Sequence, residues 1–185
     1  MAKSKDGKKF LRVQSTPILD RNKEGLKIRA IHSVLKIKKK FFFFISEGNN
    51  FKFIKKKLYP CYDTKLFECN NLNFSNNVNS KIIIKRKKNE YRLGRPSAFK
   101  FKGKLHLFFT YDTLKKNYSY GYAIHERGKF RRNDKKFFIS KSDTKEDSEM
   151  ICYPRFFSLK KNFVIYSGNG MGKTGLFLTE VKTLL

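Results

Sequence analysis

Apolar residues along this chain come in short runs, and one arrangement of those runs occurs three times. Each copy has an apolar run, a basic turn and a second apolar run, at residues 31–37 and 41–46, 95–101 and 105–110, and 153–159 and 163–167. Two short β-prone runs joined by a tight turn predict a β-hairpin. The copies are 64 and then 58 residues apart, counted between Ser33, Ser97 and Arg155. A hairpin at a nearly constant period predicts a repeat architecture.

Further runs extend each hairpin into a larger antiparallel unit. Third strands are predicted at 58–67, 118–124 and 174–181, and a polar edge strand is predicted at 129–132. The Asn-rich stretch 70–79 predicts a loop, and helical periodicity is almost absent. Four-stranded antiparallel units that repeat in this way match the blades of a β-propeller. We therefore predict an all-β chain that forms an incomplete β-propeller.

The predicted blades make up a single partial domain over residues 1–185. They span about 27–80, 93–140 and 149–185, and residues 4–14, with a strand at 9–13, end a preceding unit. Propeller blades bury their faces against one another, so an arc of about three blades leaves two faces uncovered. We expect those faces to contact further blades that this chain lacks, or a second copy of the chain.

Length and cysteine content set the broad class. The chain of 185 residues can bury one core, and its apolar run 41–45 is far shorter than the roughly 20 residues of a membrane span. Residues 1–7 lack the apolar segment of a secretory signal. The three cysteines are odd in number and widely spaced, which argues against a disulfide framework or a zinc site. We predict a cytoplasmic protein with no metal and no cofactor.

The formal net charge of +28 has two interpretations. Basic side chains in such number attract the phosphates of nucleic acids. The lysines, however, lie in turns and hairpin tips, at 38–40, 55–57 and 85–88, and no RNA-binding signature or zinc finger accompanies them. A chain rich in Lys and Asn and free of Trp is also typical of AT-rich coding sequence. We favour a solvated basic surface, with a nucleic-acid-associated protein as the alternative.

Several segments together carry a resemblance to a known family, and they lie at 91–97, 104–111, 120–123, 147–154 and 166–175. In this order they resemble bacterial glycoside-hydrolase-like five-bladed propellers, which are related to the arabinanase and invertase/levansucrase superfamily. Residues 4–10 and 16–21 are similar to the segment with which that family closes one blade and enters the next. The resemblance implies a five-bladed propeller of which this chain holds about three blades. It also implies a link to cell-surface polysaccharide metabolism.

Propeller geometry indicates where a ligand would bind. The innermost strands line a central funnel, and the positions where they begin are 29–33, 95–97 and 149–154. An arginine at such a position can bond sugar hydroxyls through its planar guanidinium, although a structural ion pair explains it equally well. The candidate substrate-binding residues are Arg29, His32, Arg95, Asp147, Tyr153, Asn169 and Lys173.

Glu149 is the candidate for acid catalysis. The resemblance implies a general acid at a Glu shortly before a Cys and a Pro, and Glu149 precedes Cys152 and Pro154. Its surroundings would have to raise its pKa for it to protonate a leaving oxygen. The alternative is a surface acid that offsets nearby lysines.

The chain has only part of the set of carboxylates that hydrolysis needs. A glycosidase uses two carboxyl groups across the sugar. The resemblance places the second one in a first blade that this chain lacks, and a further Asp in an Arg-Asp-Pro segment where this chain has Gly94, Arg95 and Pro96. We predict a protein that binds or acts on carbohydrate and is catalytically incomplete on its own. The alternatives are the nucleic-acid-associated protein and a non-functional gene fragment.

Residues 167–174 resemble a phosphate-binding P-loop but begin with Ser where that motif requires Gly. A P-loop must also open a helix, whereas the residues after Thr174 predict a strand. We predict a glycine-rich turn between two strands of one blade.

Overall fold

The computed structural model describes residues 2–21, 28–72, 78–115, 118–134 and 139–181. Strands make up nearly all of the regular structure in these residues, interrupted by a single short helical turn. The elements are β1 (Ala2–Lys3), β2 (Leu11–Arg12), β3 (Ile28–Ile37), β4 (Lys40–Ile54), β5 (Lys57–Cys69), β6 (Lys81–Ile84), β7 (Glu90–Phe101), β8 (Lys104–Thr113), β9 (Tyr118–Glu126), β10 (Lys129–Arg132), β11 (Cys152–Ser158), β12 (Asn162–Ser167), α1 (Asn169–Gly172) and β13 (Leu176–Glu180).

From β3 onward the strands form three antiparallel units in chain order. The first unit is β3–β4–β5–β6, the second is β7–β8–β9–β10, and the third is β11–β12–β13. A single parallel pairing, between Tyr62 and Arg92, joins β5 of the first unit to β7 of the second. Each of the three predicted hairpins is present, and each is extended by the predicted third strand. The polar edge strand is β10, as the sequence predicts.

The hairpin turns explain why basic residues and glycines join these strands. A two-residue turn of type I′ needs a positive φ at both central residues. Lys102 and Gly103 join β7 to β8 with φ of 44° and 74°, and Arg127 and Gly128 join β9 to β10 with φ of 49° and 79°. Glycine has no Cβ and adopts this conformation without steric cost. These turns therefore fix the register of the middle unit.

The first unit differs from the sequence-based prediction at two places. Its fourth strand is β6, which follows the predicted loop and pairs with β5. In addition, β4 and β5 continue past a bulge at 47–50 into a hairpin arm, in which residues 50–54 pair with 57–61. The predicted loop 70–79 has no strand at 70–72 or 78–80, and its remainder lies outside the described residues. Before these units, the predicted strand 9–13 is present as β2, which pairs with β1.

Successive units pack face to face through apolar clusters. The cluster between the second and third units includes Phe99, Phe108, Tyr120, Tyr122, Val164 and Tyr166. The cluster between the first and second units includes Phe44, Leu66, Leu93, Leu107 and Phe109. Antiparallel units stacked through their faces in chain order are the blades of a β-propeller. The predicted all-β, incomplete propeller is confirmed, since the described residues form three blades whereas closed propellers have about four to eight.

Cys61, Cys69 and Cys152 are free thiols. No helix within the described part of the chain has the length and apolar character that a membrane crossing requires.

Candidate functional site

The innermost strand of each blade has a β-bulge at the same place. The register shifts at 31–33 in β3, at 94–97 in β7 and at 152–155 in β11. Within the last two bulges Arg95 and Tyr153 have positive φ, 53° and 57°. Non-glycine residues are strained in this conformation, and both strain and bulges are concentrated at functional sites. Each repeated hairpin thus has a bulge at the same level of its inner strand, and the bulge changes the direction in which a side chain points.

The side chains around these bulges form what we call the funnel-mouth cluster. It consists of His32, Tyr62, Arg92, Arg95, Tyr118, Tyr153 and Arg155. The Arg95 guanidinium carbon lies 5.0 Å from the centre of the Tyr153 ring, a cation–π contact between neighbouring blades. The Tyr153 ring in turn meets the Tyr118 ring edge-on, with 6.0 Å between the ring centres. Three of the predicted site residues, His32, Arg95 and Tyr153, are therefore brought together.

Arg155 connects the third blade to the first. Its Nη2 donates a hydrogen bond of 2.9 Å to the main-chain oxygen of His32. A neighbouring contact joins the first blade to the second, because Ser33 Oγ accepts a hydrogen bond of 3.1 Å from the main-chain N–H of Ala98. The inner strands of all three blades are thus tied together beside the cluster.

Tyr62 enters the cluster from β5. Its ring covers Gly94, where a Cβ would lie only 3.1 Å from the ring carbon Cε2, so the small residue permits this close approach. Burial raises the pKa of Tyr62, and Arg92 and Arg95 act on it in the opposite direction. Tyr62 therefore stays a neutral hydroxyl that can both donate and accept hydrogen bonds.

The buried carboxylate of Asp112 is bonded to one member of the cluster and to Tyr91. Asp112 accepts a hydrogen bond of 3.0 Å from Arg92 Nη2 and another from the Tyr91 hydroxyl. Arg92 also lies over the Tyr118 ring, 5.6 Å from its centre. Asp112 is buried and holds Arg92 in position.

The electrostatics of the cluster keep His32 uncharged. Burial lowers the pKa of His32, and the positive charges of Arg95 and Arg155 lower it further, to about 4. Partial shielding from water also lowers the pKa of Arg155, which is exposed as a whole residue, and the charge of Arg95 adds to that effect. At neutral pH the imidazole is a neutral donor and acceptor among cations.

This low pKa has a consequence for stability. The unfolded chain binds a proton at His32 with a pKa of about 6.5, whereas the folded protein does so only near 4. Protonation therefore favours unfolding, and we expect the contribution of His32 to the free energy of unfolding to decline as the pH falls from 6.5 to 4. Urea titrations of wild type and His32→Gln across this range test this. The variant should depend less on pH, and identical pH profiles would contradict the assignment.

Two further candidates, Asp147 in the loop before β11 and Asn169 in the turn after β12, contact that loop. Asp147 is buried and accepts hydrogen bonds from Ser142 and, at 2.8 Å, from the Tyr166 hydroxyl. Burial raises the pKa of Asp147, but these hydrogen bonds outweigh burial and bring it below its ordinary value. Asn169 Oδ1 accepts from the main-chain N–H groups of Glu149 and Met150 at 2.9 and 2.7 Å. Asp147 and Asn169 therefore hold the loop in shape.

Two candidates have exposed side chains near this loop. Glu149 is exposed, and its main-chain oxygen accepts a hydrogen bond from Lys141. Lys173 is exposed in the turn that follows α1. Within α1, Gly170 and Met171 both have a φ of 62°, so α1 is a glycine-rich turn between β12 and β13, as predicted.

Arg29 lies apart from the cluster, in the first blade. Its Nε donates to Glu47 at 2.7 Å, and Lys65 and Ser80 donate to the same carboxylate at 2.7 and 2.6 Å. These contacts line a cavity of about 540 Å³ that also includes Asp63. Burial raises the pKa of Glu47, and its donors lower it by more. Both side chains of the Arg29–Glu47 pair are only 3% exposed, so Arg29 forms a buried ion pair, and its role in substrate binding stays a prediction.

The structure adds residues that the sequence did not single out. Arg92 lies within the segment 91–97, and Arg155 follows Pro154 in the third hairpin, so the repeat itself was a usable signal for both. Tyr62 and Tyr118 reach the cluster from β5 and β9, which are not innermost strands, so the hairpin repeat does not single them out.

No known protein family and no curated protein sequence matches the chain. Several solved structures are similar to the chain. A family 32 β-fructofuranosidase from Bombyx mori is 17% identical with a TM-score of 0.66, over 97% of this chain and 40% of the enzyme. A variant of that enzyme in complex with sucrose is 16% identical with a TM-score of 0.64, over 96% of this chain and 39% of the enzyme. An α-L-arabinofuranosidase from Lactobacillus brevis is 12% identical with a TM-score of 0.63, over 90% of this chain and 51% of the enzyme.

These similarities concern the fold. The chain spans 40% and 51% of the lengths of the fructofuranosidase and the arabinofuranosidase. Over that span it has the β-propeller fold of these glycoside hydrolases, as the resemblance in the sequence implies.

Proposed function

We propose that the chain binds carbohydrate at the funnel-mouth cluster. The observation that carries this proposal is the convergence of Arg95 and Tyr153, from the inner strands of adjacent blades, with Tyr118 beside them. The propellers that share this fold are named for action on fructofuranosides and arabinofuranosides. The resemblance further supports a role in cell-surface polysaccharide metabolism, in the cytoplasm.

The chemistry of the cluster suits a sugar. A tyrosine ring offers an apolar face to the C–H side of a pyranose or furanose and a hydroxyl to its oxygens. A guanidinium offers planar N–H donors to vicinal hydroxyls. Pockets that bind small ligands commonly combine apolar walls with a few placed polar groups, and Tyr62, Arg95 and neutral His32 supply these here.

Binding is favoured over hydrolysis by the residues described. Hydrolysis requires a carboxylic acid and a second carboxylate with a set separation across the sugar. Gly94, Arg95 and Pro96 stand where the resemblance implies an Arg-Asp-Pro segment, with no Asp, and Asp112 is bonded to Arg92 and Tyr91. Glu149 remains the proposed general acid should further blades supply the missing carboxylate. We therefore propose a binding module that is catalytically incomplete on its own.

Removal of a stacking ring should weaken binding. We expect Tyr153→Ala to reduce affinity for a bound oligosaccharide about tenfold, because the variant loses the ring and releases Arg95. Calorimetric titration of oligosaccharides selected on a glycan array measures this. Phe53→Ala, which removes a ring that is 71% exposed, is the matched control and should bind as wild type does. Failure of the folded wild-type protein to bind any carbohydrate would refute the proposed function.

The net charge of +28 supports the alternative, a nucleic-acid-associated protein. The lysine-rich turns at 38–40 and 55–57 stand at opposite ends of the 15-residue strand β4, about 50 Å apart along the strand. Charge spread in this way favours weak contact over the whole surface rather than one groove. Binding to RNA that is tight at low salt and lost at moderate salt, with no carbohydrate bound, would favour this alternative.

A further inference from the structure

We propose that the funnel-mouth cluster selects carbohydrates that carry an anionic oxygen group, a carboxylate or a phosphate. This inference rests on the proposed function, because it names the class of sugar that the same site takes. It goes beyond that function in one respect, since a site for neutral sugars would need no excess of positive charge.

Two arginines of the cluster, Arg95 and Arg155, differ from the paired arginines of the described residues. In the blades, Arg29 pairs with Glu47, Arg86 with Asp63, and Arg132 with Glu90 and Asp134. Within the cluster, Arg92 pairs with Asp112. Among the described residues, no acid forms an ion pair with Arg95 or with Arg155. Two guanidinium charges at the funnel mouth therefore have no acidic ion-pair partner in the part of the chain that the structure describes.

These two charges are close enough to affect one another. Both lower the pKa of His32, and Arg95 contributes to the lowered pKa of Arg155. Burial raises the pKa of the nearby Cys152 thiol to about 11, and Arg95 opposes that rise. Like charges held together raise the energy of the free protein, and a bound anion removes that cost.

Contacts hold the two arginines in place before any ligand arrives. Arg95 occupies a bulge with a φ of 53° and lies over the Tyr153 ring. Arg155 is fixed by its hydrogen bond to the main-chain oxygen of His32. Both residues are nevertheless exposed, so their remaining N–H groups are accessible. A guanidinium fork binds a carboxylate or a phosphate through two parallel hydrogen bonds, and preorganisation lowers the entropy lost on binding.

The neutral His32 completes the recognition. An imidazole that stays uncharged can donate to or accept from a sugar hydroxyl, while the arginines hold the anionic group. The tyrosine rings provide the surface for the sugar ring itself. The arginines thus bind the anionic group, the histidine binds a hydroxyl, and the tyrosines contact the sugar ring.

Matched ligand pairs test the inference with the intact chain. The first pair is an oligogalacturonide and its fully methyl-esterified form, which share a backbone and differ in charge. The second pair is fructose 6-phosphate and fructose. In this pair the anionic group is a phosphate instead of a carboxylate. Affinities are measured by calorimetry at two salt concentrations. We expect at least a tenfold preference for the anionic member of one pair or both, and the pair that shows it identifies the anion.

Variants separate the cluster from the general basic surface. Arg95→Gln and Arg155→Gln, singly and together, remove charge but keep a polar side chain, and we expect the preference to fall to less than threefold. Lys100→Gln and Lys104→Gln make the same charge change at exposed positions of β7 and β8 and should keep the preference. Thermal melts establish that each variant is folded. If the double variant is not folded, Arg95→Gln alone is sufficient to test the preference.

The outcomes are distinct. Equal binding of both members of each pair overturns this inference and leaves the carbohydrate-binding proposal intact. Preference for the anion that persists in the folded arginine variants also overturns it, since the general surface then supplies the attraction. Absence of binding to all four ligands and to neutral glycans overturns both proposals.

Discussion

Replacement of Arg132 by alanine is expected to lower the free energy of unfolding by about 3–5 kcal/mol. Arg132 lies in β10, the outer strand of the middle blade, and donates to Glu90 at 2.9 and 2.6 Å and to Asp134 at 2.7 and 2.9 Å. Its guanidinium also lies over the rings of Phe109 and Tyr111, 5.0 and 5.3 Å from their centres. The alanine variant would leave the buried Glu90 carboxylate without its bidentate partner.

Arg131 is the matched control for this change. It is the preceding residue of β10 and is exposed, so Arg131→Ala should alter stability by less than about 0.5 kcal/mol. Arg132→Lys keeps the charge without the planar fork and should fall between the two. Chemical denaturation of the three variants measures the effect. Equal stabilities of Arg131→Ala and Arg132→Ala would show that the network contributes nothing.

Replacement of Phe108 by alanine should have an effect of similar size by a different mechanism. Phe108 is 0% exposed and contacts Phe99, Tyr120 and Tyr122 in the cluster that joins the second and third blades. Loss of a buried ring leaves a cavity and costs about 3–5 kcal/mol. We also expect faster amide hydrogen exchange in β11 and β12, because the third blade loses part of the face that it packs against.

Phe53→Ala is the corresponding control, since the ring of Phe53 is 71% exposed on the hairpin arm. Its stability and hydrogen exchange should match wild type. Exchange that accelerates equally in all blades of Phe108→Ala would mean that the blades unfold as one unit and that the contact is not local to this interface.

The sequence predicts the fold well because the fold is a repetition of local patterns. Each hairpin consists of two apolar runs and a basic or glycine-containing turn, and these signals are close together in the chain. The strand β6 was missed because it is only four residues long and follows an Asn-rich stretch that predicts a loop. Its place is set by pairing with β5, which is a tertiary contact and leaves no periodic signal.

The site was predictable only in part, for a related reason. His32, Arg95 and Tyr153 all lie in the bulge at the start of an inner strand, so their convergence follows from the repeat and from propeller geometry. Arg29 also lies near the start of an inner strand, but its partner Glu47 is in the neighbouring strand β4, and that pairing commits Arg29 to a cavity in the first blade. Pairing of charges across strands depends on register, which the apolar pattern alone does not reveal.

The same limit applies to the acids. Asp147 and Glu149 are two residues apart and both precede an inner strand, yet one is buried and bonded to Tyr166 whereas the other is exposed. Composition gives no means of telling them apart. The difference arises from how Asn169, in the turn before β13, holds the main chain of this loop.

The central claim is that sugar binds at the funnel mouth, and the most direct test is to map the bound position by NMR. Tyrosine rings labelled with ¹³C and main-chain amides labelled with ¹⁵N are observed during titration with an oligosaccharide that binds in calorimetry. We predict that the largest shift changes among the tyrosine rings belong to Tyr153, Tyr118 and Tyr62, and that in Tyr153→Ala those of the remaining two require about tenfold more ligand. Shift changes centred instead on main-chain groups beside the Arg29–Glu47 cavity would contradict the claim.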